Sequence, residues 1–300
     1  MAELRTMGQV IKYTFDHHIP WLSGNGSKAA YYNCQHFFNI FGRQFPATSV
    51  DVSVIEKLKT DLHLQGKSNA TINRVISALS TALKFCYRSK KIAQPMDFKG
   101  LKLPEKDAVR LHYEPDQIKE LVDAARTIYN DNDLADIIIA AFTTGFRQSE
   151  LLEMRVRDVN FSVNGVVSGK RRDGLTGDRK GGDVNYIPIS SWLLPILKER
   201  CRDQPPTAFV FGEDWLNRHE LLRRFTKVRM FCGYKESGYC FHSLRHSFGT
   251  FQMQIGTAPR DVMSMMGHAN IETTLQYAKS TDKAKKAAIS QMDSALPFLN

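Results

Sequence analysis

Between residues 68 and 88 the chain reads SNATINRVISALSTALKFCYR, and Ile72, Val75, Ile76, Leu79, Leu83 and Cys86 recur at intervals of three and four. That period gathers them on one stripe of a helix, and Ser68 or Asn69 can cap its start. The opposite face carries Asn73, Arg74, Ser77 and Lys84. Such a polar, basic face suits either solvent or a polyanion. The same reading predicts earlier helices at 8–17, 27–41 and 51–64, so the first hundred residues form a small helical domain.

From Lys90 the pattern is lost. KKIAQPMDFKGLKLPEKDAVRLHYEPDQ is rich in Pro, Lys and Gly and shows no period, which marks a linking stretch. Its Lys90, Lys91, Lys99 and Lys102 would suit a strap lying along phosphates. The domains expected are 1–104, a connection at 105–112, and 113–300.

The second domain opens with a predicted helix at 115–128, Pro115 in its first turn, and a more apolar one in DLADIIIAAFTTG. The chain turns at Gly145 and restarts as RQSELLEMRVRDV. VNGVVSG and VNYIPIS read as strands, with the Gly- and Asp-rich KRRDGLTGDRKGGD between them. Helices are predicted at 191–200, 215–231, 242–254, 259–266 and 270–278. The expected class is mostly α (α+β), with a small antiparallel sheet.

Composition narrows the partners. With 300 residues, 42% of them hydrophobic and 24% charged, the chain can hold two cores. Lys and Arg number 41 against 31 Asp and Glu, a net charge of +10. That excess favours a polyanion, most often nucleic acid, although ribosome-associated and membrane-surface proteins share it. Cys34, Cys86, Cys201, Cys232 and Cys240 form no CxxC pair and read as reduced thiols of an intracellular protein. Cys240, His242 and His246 would make a zinc site only with a fourth ligand that the spacing does not supply. The N-terminus MAELRTMGQVIKYTF lacks the apolar segment of a signal peptide, and no apolar run is long enough to span a membrane. A soluble, cytoplasmic protein without a separate domain ahead of the first helix is expected.

Four stretches place polar or cationic residues where the pattern calls for apolar ones. They are TTGFRQSELLEM with Arg147, DRKGGDVNYIPIS with Lys180, CFHSLRHSF with His242 and Arg245, and MMGHANIETTLQYAK with His268 and Tyr277. Singly, each has a structural explanation. Arg147 could pair with Glu150 or Glu153 near a helix start, Lys180 could be an exposed hairpin lysine, His268 could follow a helix C-cap, and Tyr277 could be packed.

In their order the four resemble the catalytic domain of the tyrosine recombinase (phage integrase) family. TGFRQSEL matches its TGxRxSEL signature, HSLRHSF its HxLRHSF, and MMGHANIETTLQYA its LMGH…TxxYA element. The helical first hundred residues are similar in size to the family's DNA core-binding domain. The resemblance implies a site-specific DNA recombinase that cleaves and rejoins double-stranded DNA through a 3′-phosphotyrosyl link, working as a homotetramer on two duplexes. It needs no cofactor or metal, and it admits accessory DNA-bending proteins as partners. An integrase of a phage or other mobile element, associated with the nucleoid, is the expected role. A catalytically silent DNA-binding protein of the same fold and a type IB topoisomerase are the alternatives.

The chemistry agrees with the resemblance. Phosphoryl transfer asks mainly for positioning and charge stabilisation. Arg147 and Arg245 can clamp the non-bridging oxygens with planar, permanently charged forks. His242 lies three residues before Arg245, on one helix face with it. Tyr277 is the expected nucleophile. Phenols ordinarily ionise near pH 10, so it needs a base or a cationic field. His242 is the expected acceptor, His268 a donor to the phosphate, and His246 a structural residue or DNA contact.

The family protonates the leaving oxygen with a hairpin lysine. Lys180, eight residues before Pro188, fits the family's spacing better than Lys170. Beyond Tyr277, the segment AKSTDKAKKAAISQMDSALPFLN could dock on a neighbouring protomer through Ala287, Ala288, Ile289, Met292, Ala295 and Leu296, or could simply end the chain.

Overall fold

The computed structural model describes residues 3–22, 24–105, 111–168, 185–236, 238–268, 270–275 and 277. The chain divides into two compact units, Met1–Ala108 and Val109–Asn300.

The first unit is helical: α1 Met7–His17, α2 Ile19–Leu22, α3 Gly24–Phe41, α4 Val52–Leu64 and α5 Asn69–Arg88. Side chains fix the helix starts. Thr6 and Gln9 form a capping box on α1, and Asp51 accepts from the Val54 N–H at 2.9 Å on α4. Ser68 accepts from the Thr71 N–H at 3.3 Å on α5. α5 is the centre of the unit, contacting α1, α3 and α4. All six residues of its apolar stripe are buried, beside Phe37, Leu58 and Leu62. Each such Leu or Ile contributes about 1.5–3 kcal/mol relative to exposure.

Two expectations change here. Asn73 is buried rather than displayed on a polar face. Its amide donates to the Leu103 carbonyl at 2.9 Å and to Glu105 Oε1 at 2.7 Å, and accepts from the Leu103 N–H at 2.8 Å. It thus pairs with a backbone as a neighbouring strand would. Arg74 and Lys84 remain exposed. The stretch after Lys90, read as a linker, is correspondingly packed on the first unit, while Lys99 and Lys102 stay exposed. Phe98 is buried in this core, and Met96, Leu101 and Leu103 pack on it.

The second unit contains α6 Pro115–Asp123, α7 Asn132–Thr144, α8 Gln148–Leu152, α9 Leu194–Cys201, α10 Arg218–Phe231, α11 Ser243–Gln254, α12 Pro259–Met266 and α13 Glu272–Leu275. α6 ends in a π turn over Ala124–Ile128, where the sequence predicts one continuous helix. α7 is apolar nearly all round, with Leu134, Ile137, Ile138 and Ala140 fully buried, so it lies between α6 and α11 at the core. Asp131 caps its start by accepting from the Leu134 N–H at 3.0 Å and is paired with Arg224. The Tyr113 N–H donates to Ser247 Oγ on α11 at 2.8 Å, tying the unit's first residues to that helix.

Among the described residues three strands form one antiparallel sheet, β1 Val159–Asn160, β2 Gly165–Ser168 and β3 Asn185–Pro188, in that order. Val166 pairs with Ile187, and both are buried. The sequence predicted β2 and β3. The two-residue β1 is too short to leave a period. Lys170 and Lys180, between β2 and β3, lie outside the described residues, as does the segment 278–300. The mostly helical fold with a small antiparallel sheet agrees with the expected class. No helix among the described residues is long and apolar enough to cross a membrane.

Candidate active site

Three chain turns of the second unit meet at α11. The first follows α7. Gly145 caps that helix in the left-handed region (φ 64°), and a Cβ there would lie 2.3 Å from the Phe248 ring. Only glycine satisfies both the dihedral and the close approach. The turn delivers Arg147 to the start of α8, where Glu150 accepts from its backbone N–H and from Nη1, each at 2.9 Å. Arg147 Nη2 reaches the Gly267 carbonyl at 3.4 Å.

The second turn ends α12. Gly267 caps it in the left-handed region (φ 58°), and the His268 N–H donates back to the Met263 carbonyl at 3.0 Å. His268 is buried, with Nδ1 2.8 Å from Thr274 Oγ1. The third turn follows α13 and carries Tyr277, whose N–H donates to the Thr274 carbonyl at 3.0 Å.

α11 joins them. Arg245 is only 3% exposed and donates from Nη1 to the Gly145 carbonyl at 2.6 Å and from Nη2 to the Met266 carbonyl at 2.5 Å. Both carbonyls stand at helix C-termini, where the backbone carries partial negative charge. A buried cation among Phe241, Leu244 and Phe248 is therefore paid for within the protein, before any anion arrives. Arg147 and Arg245 also meet consecutive carbonyls, Gly267 and Met266, so the two guanidiniums converge on one turn.

Tyr277 is 8% exposed and packs with Phe248, Val262 and Met266. Its ring lies nearly parallel to that of His268, with centroids 6.2 Å apart. Its Oη is 2.9 Å from Nδ1 of His246, which is itself buried. His242 stands exposed at the N-cap of α11 and meets the His246 ring edge-on at 4.8 Å.

Arg147, Arg245, His268 and Tyr277 are thus brought together. His242 lies at the edge of the group, and Lys180 lies outside the described residues. The imidazole on the phenol is His246, to which the spacing of HSLRHSF gave no place at the reaction centre. One signal could have found it. Gly249 stands three residues after His246, so the same helix face offers an imidazole beside a ring-sized gap.

The phage integrase family model matches residues 112–284. The chain is similar to the tyrosine recombinase XerA of Pyrococcus horikoshii, 32% identical over 242 residues that cover 78% of this chain and 77% of that protein. It is similar also to XerA of Pyrococcus furiosus, 29% identical over 234 residues, 76% of each. Among solved structures, the Tn1549 transposon integrase in complex with a circular intermediate DNA has the same fold, with a TM-score of 0.77 at 19% identity over 96% of this chain and 100% of that one. On the extent of these matches the chain belongs to the phage integrase family, the tyrosine recombinases, and is a site-specific recombinase that breaks and rejoins DNA.

Proposed function

We propose that the enzyme cleaves one strand of double-stranded DNA by attack of Tyr277 Oη on phosphorus, leaving a 3′-phosphotyrosyl link and a free 5′-hydroxyl, and reverses the step on a partner strand. The carrying observation is the convergence of Arg147 and Arg245 on the Met266–Gly267 turn beside Tyr277 and His268. As Oη adds, negative charge grows on the non-bridging oxygens, and two fixed guanidiniums are the donors suited to meet it. His268 adds an imidazole hydrogen bond to the phosphate. His242, expected from the sequence to take the Tyr277 proton, stands exposed at the N-cap of α11 and is given a phosphate contact instead, because the imidazole beside the phenol is that of His246. One phosphodiester replaces another, so the bond energy is retained and no nucleotide is consumed.

The leaving 5′ oxygen needs a proton, which we assign to Lys180 and not to Lys170. The first unit serves as the DNA core-binding domain and the second as the catalytic domain. Four protomers act on two duplexes, because each strand cut in one duplex must find a partner end in the other. Residues 281–300 are assigned to contacts between protomers. Accessory DNA-bending proteins, a cytoplasmic, nucleoid-associated location and a role in a phage or other mobile element complete the reading. The similarity to a transposon integrase supports the last of these.

The test is a nicked suicide substrate, from which the cut strand cannot be resealed. The parent enzyme should accumulate a denaturation-resistant protein–DNA adduct and the Tyr277→Phe variant none. An adduct formed by Tyr277→Phe would remove Tyr277 as nucleophile. A 5′-bridging phosphorothiolate, whose sulfur leaves without a proton, should restore Lys180→Ala and leave Arg147→Ala inactive. Rescue of Lys170→Ala alone would reverse the choice of lysine.

A further inference from the structure

α11 presents three cationic or ionisable side chains within five positions, and each is disposed differently. His242 is exposed at the helix start. Arg245 is buried and donates to the carbonyls of Gly145 and Met266. His246 is buried, 8% exposed, and its Nδ1 lies 2.9 Å from the hydroxyl of Tyr277. The two rings meet at 43° with centroids 5.7 Å apart, so the imidazole edge is aimed at Oη and does not stack on the phenol face. The stacking position is filled by His268, whose Nδ1 is held by Thr274 Oγ1 at 2.8 Å.

The geometry points to His246 as a catalytic residue that takes the Tyr277 proton as Oη attacks phosphorus, an inference that rests on Tyr277 being the nucleophile. In cleavage the Oη–H bond breaks and a Nδ1–H bond forms, while Oη bonds to phosphorus and the P–O5′ bond breaks. The departing O5′ takes its proton from the hairpin lysine. In rejoining, the incoming 5′-hydroxyl returns a proton to that lysine, O5′ bonds to phosphorus, and the departing phenolate recovers its proton from the imidazolium. Atoms and charges close over the cycle with no other reactant.

For Nδ1 to accept, the imidazole proton must sit on Nε2, the tautomer in which a neutral phenol donates to Nδ1. Phenols ordinarily titrate near pH 10 and imidazoles near pH 6.5. Transfer in this direction starts from a neutral imidazole and a neutral phenol, and the proton moves only as the bond to phosphorus makes the phenol more acidic.

The titratable and charged groups around the pair come from every neighbouring element. From α11 there are His242, edge-on to His246, and Arg245. His268, between α12 and α13, has its ring nearly parallel to the phenol, and Arg147 approaches from the start of α8 through the Gly267 carbonyl. The two guanidiniums favour the phenolate once it forms, but a cationic field does not itself remove a proton.

The experiment follows single-turnover adduct formation on the suicide substrate from pH 5.5 to 9.5 in the full-length enzyme. The variants are His246→Asn, His246→Gln, and each of these with a polyfluorinated tyrosine at position 277, whose phenol ionises near neutral pH. The parent rate should rise with pH and level off as an imidazole titrates. His246→Asn keeps an amide near Nδ1 but accepts no proton. Its rate at neutral pH should fall about 10²–10⁴-fold, the usual contribution of a positioned base. It should then climb about tenfold per pH unit, as specific base takes over, and return to within tenfold of the parent when position 277 is fluorinated.

His246→Gln is the second arm should the asparagine variant fold poorly, and half-site gel shifts confirm that each variant still binds DNA. Parent-like rates and pH profiles in both variants would overturn the inference. So would a loss that fluorinated tyrosine does not restore, since that would make His246 only a packing residue. The Tyr277→Phe control separates the two levels. An adduct there sinks the nucleophile itself, whereas its absence combined with unaffected His246 variants sinks only the base.

Discussion

Arg147 and Arg245 carry the same guanidinium, yet the side chain of Arg147 is 41% exposed beside Glu150, whereas Arg245 is buried between two helix ends. An exposed ion pair contributes about 0–1 kcal/mol. Removing a donor from buried carbonyls costs about 1–3 kcal/mol. Alanine at either position should nearly abolish adduct formation, because the loss of one transition-state donor commonly costs about a hundredfold or more. Only Arg245→Ala should also lower the melting temperature, by several degrees at about 2–4 °C per kcal/mol for a unit of this size. Thermal melts of the two variants side by side check this, and equal melting temperatures would mean that the carbonyl bonds of Arg245 add nothing to the fold. At this scale the sequence shows polar residues that interrupt an apolar pattern, and so marks Arg147, Arg245, His268 and Tyr277. It does not show which of two imidazoles on one helix meets the phenol. That depends on where Tyr277 arrives from another turn, which spacing within HSLRHSF cannot encode.

The approach of Tyr277 to α11 depends on a missing side chain. A Cβ at Gly249 would lie 3.0 Å from Cδ2 and Cε2 of the Tyr277 ring and 2.9 Å from Met266 Sδ. Methionine is flexible and can yield, whereas the ring is pinned by the turn at Thr274 and by His246. Gly249→Ala should therefore displace the nucleophile more than it unsettles the helix. Adduct formation should fall about ten- to a hundredfold, in line with the cost of ångström-scale misplacement, while half-site affinity stays within about twofold. An unchanged single-turnover rate would mean that the ring leaves this seat before it attacks. Helices with a strong period, α5 above all, were legible because burial of one stripe dominates their energy. The misread elements are those whose partners are distant in sequence. Asn73 reads as surface until the backbone of Leu103 lies against it, and the residues after Lys90 read as an unpacked linker until Phe98 enters the core.

At the scale of the molecule, the cores of the two units are built from separate residue sets, one around α5 and one around α7 with a smaller cluster at Tyr277. Two apolar periods separated by a Pro- and Lys-rich stretch predict two domains, because each period needs its own core to bury it. The cysteines are placed to test that independence. Cys34 and Cys86 are buried in the first unit, and burial pushes the Cys34 thiol up to about 12 and raises that of Cys86. In the second unit burial likewise raises Cys201, and raises Cys232 to about 11, while Cys240 is exposed. The thiolate is the reactive form, so at pH 8 an alkylating reagent should label Cys240 first and leave the other four largely unmodified in the native enzyme. Under rising urea the buried thiols of Cys34 and Cys86 and the half-buried ones of Cys201 and Cys232 become fully reactive when their own cores open. Mass spectrometry of pulse-labelled protein should therefore show Cys34 and Cys86 gaining label together at one urea concentration, and Cys201 and Cys232 together at another. A single concentration at which all four react would mean that the two cores open as one cooperative unit.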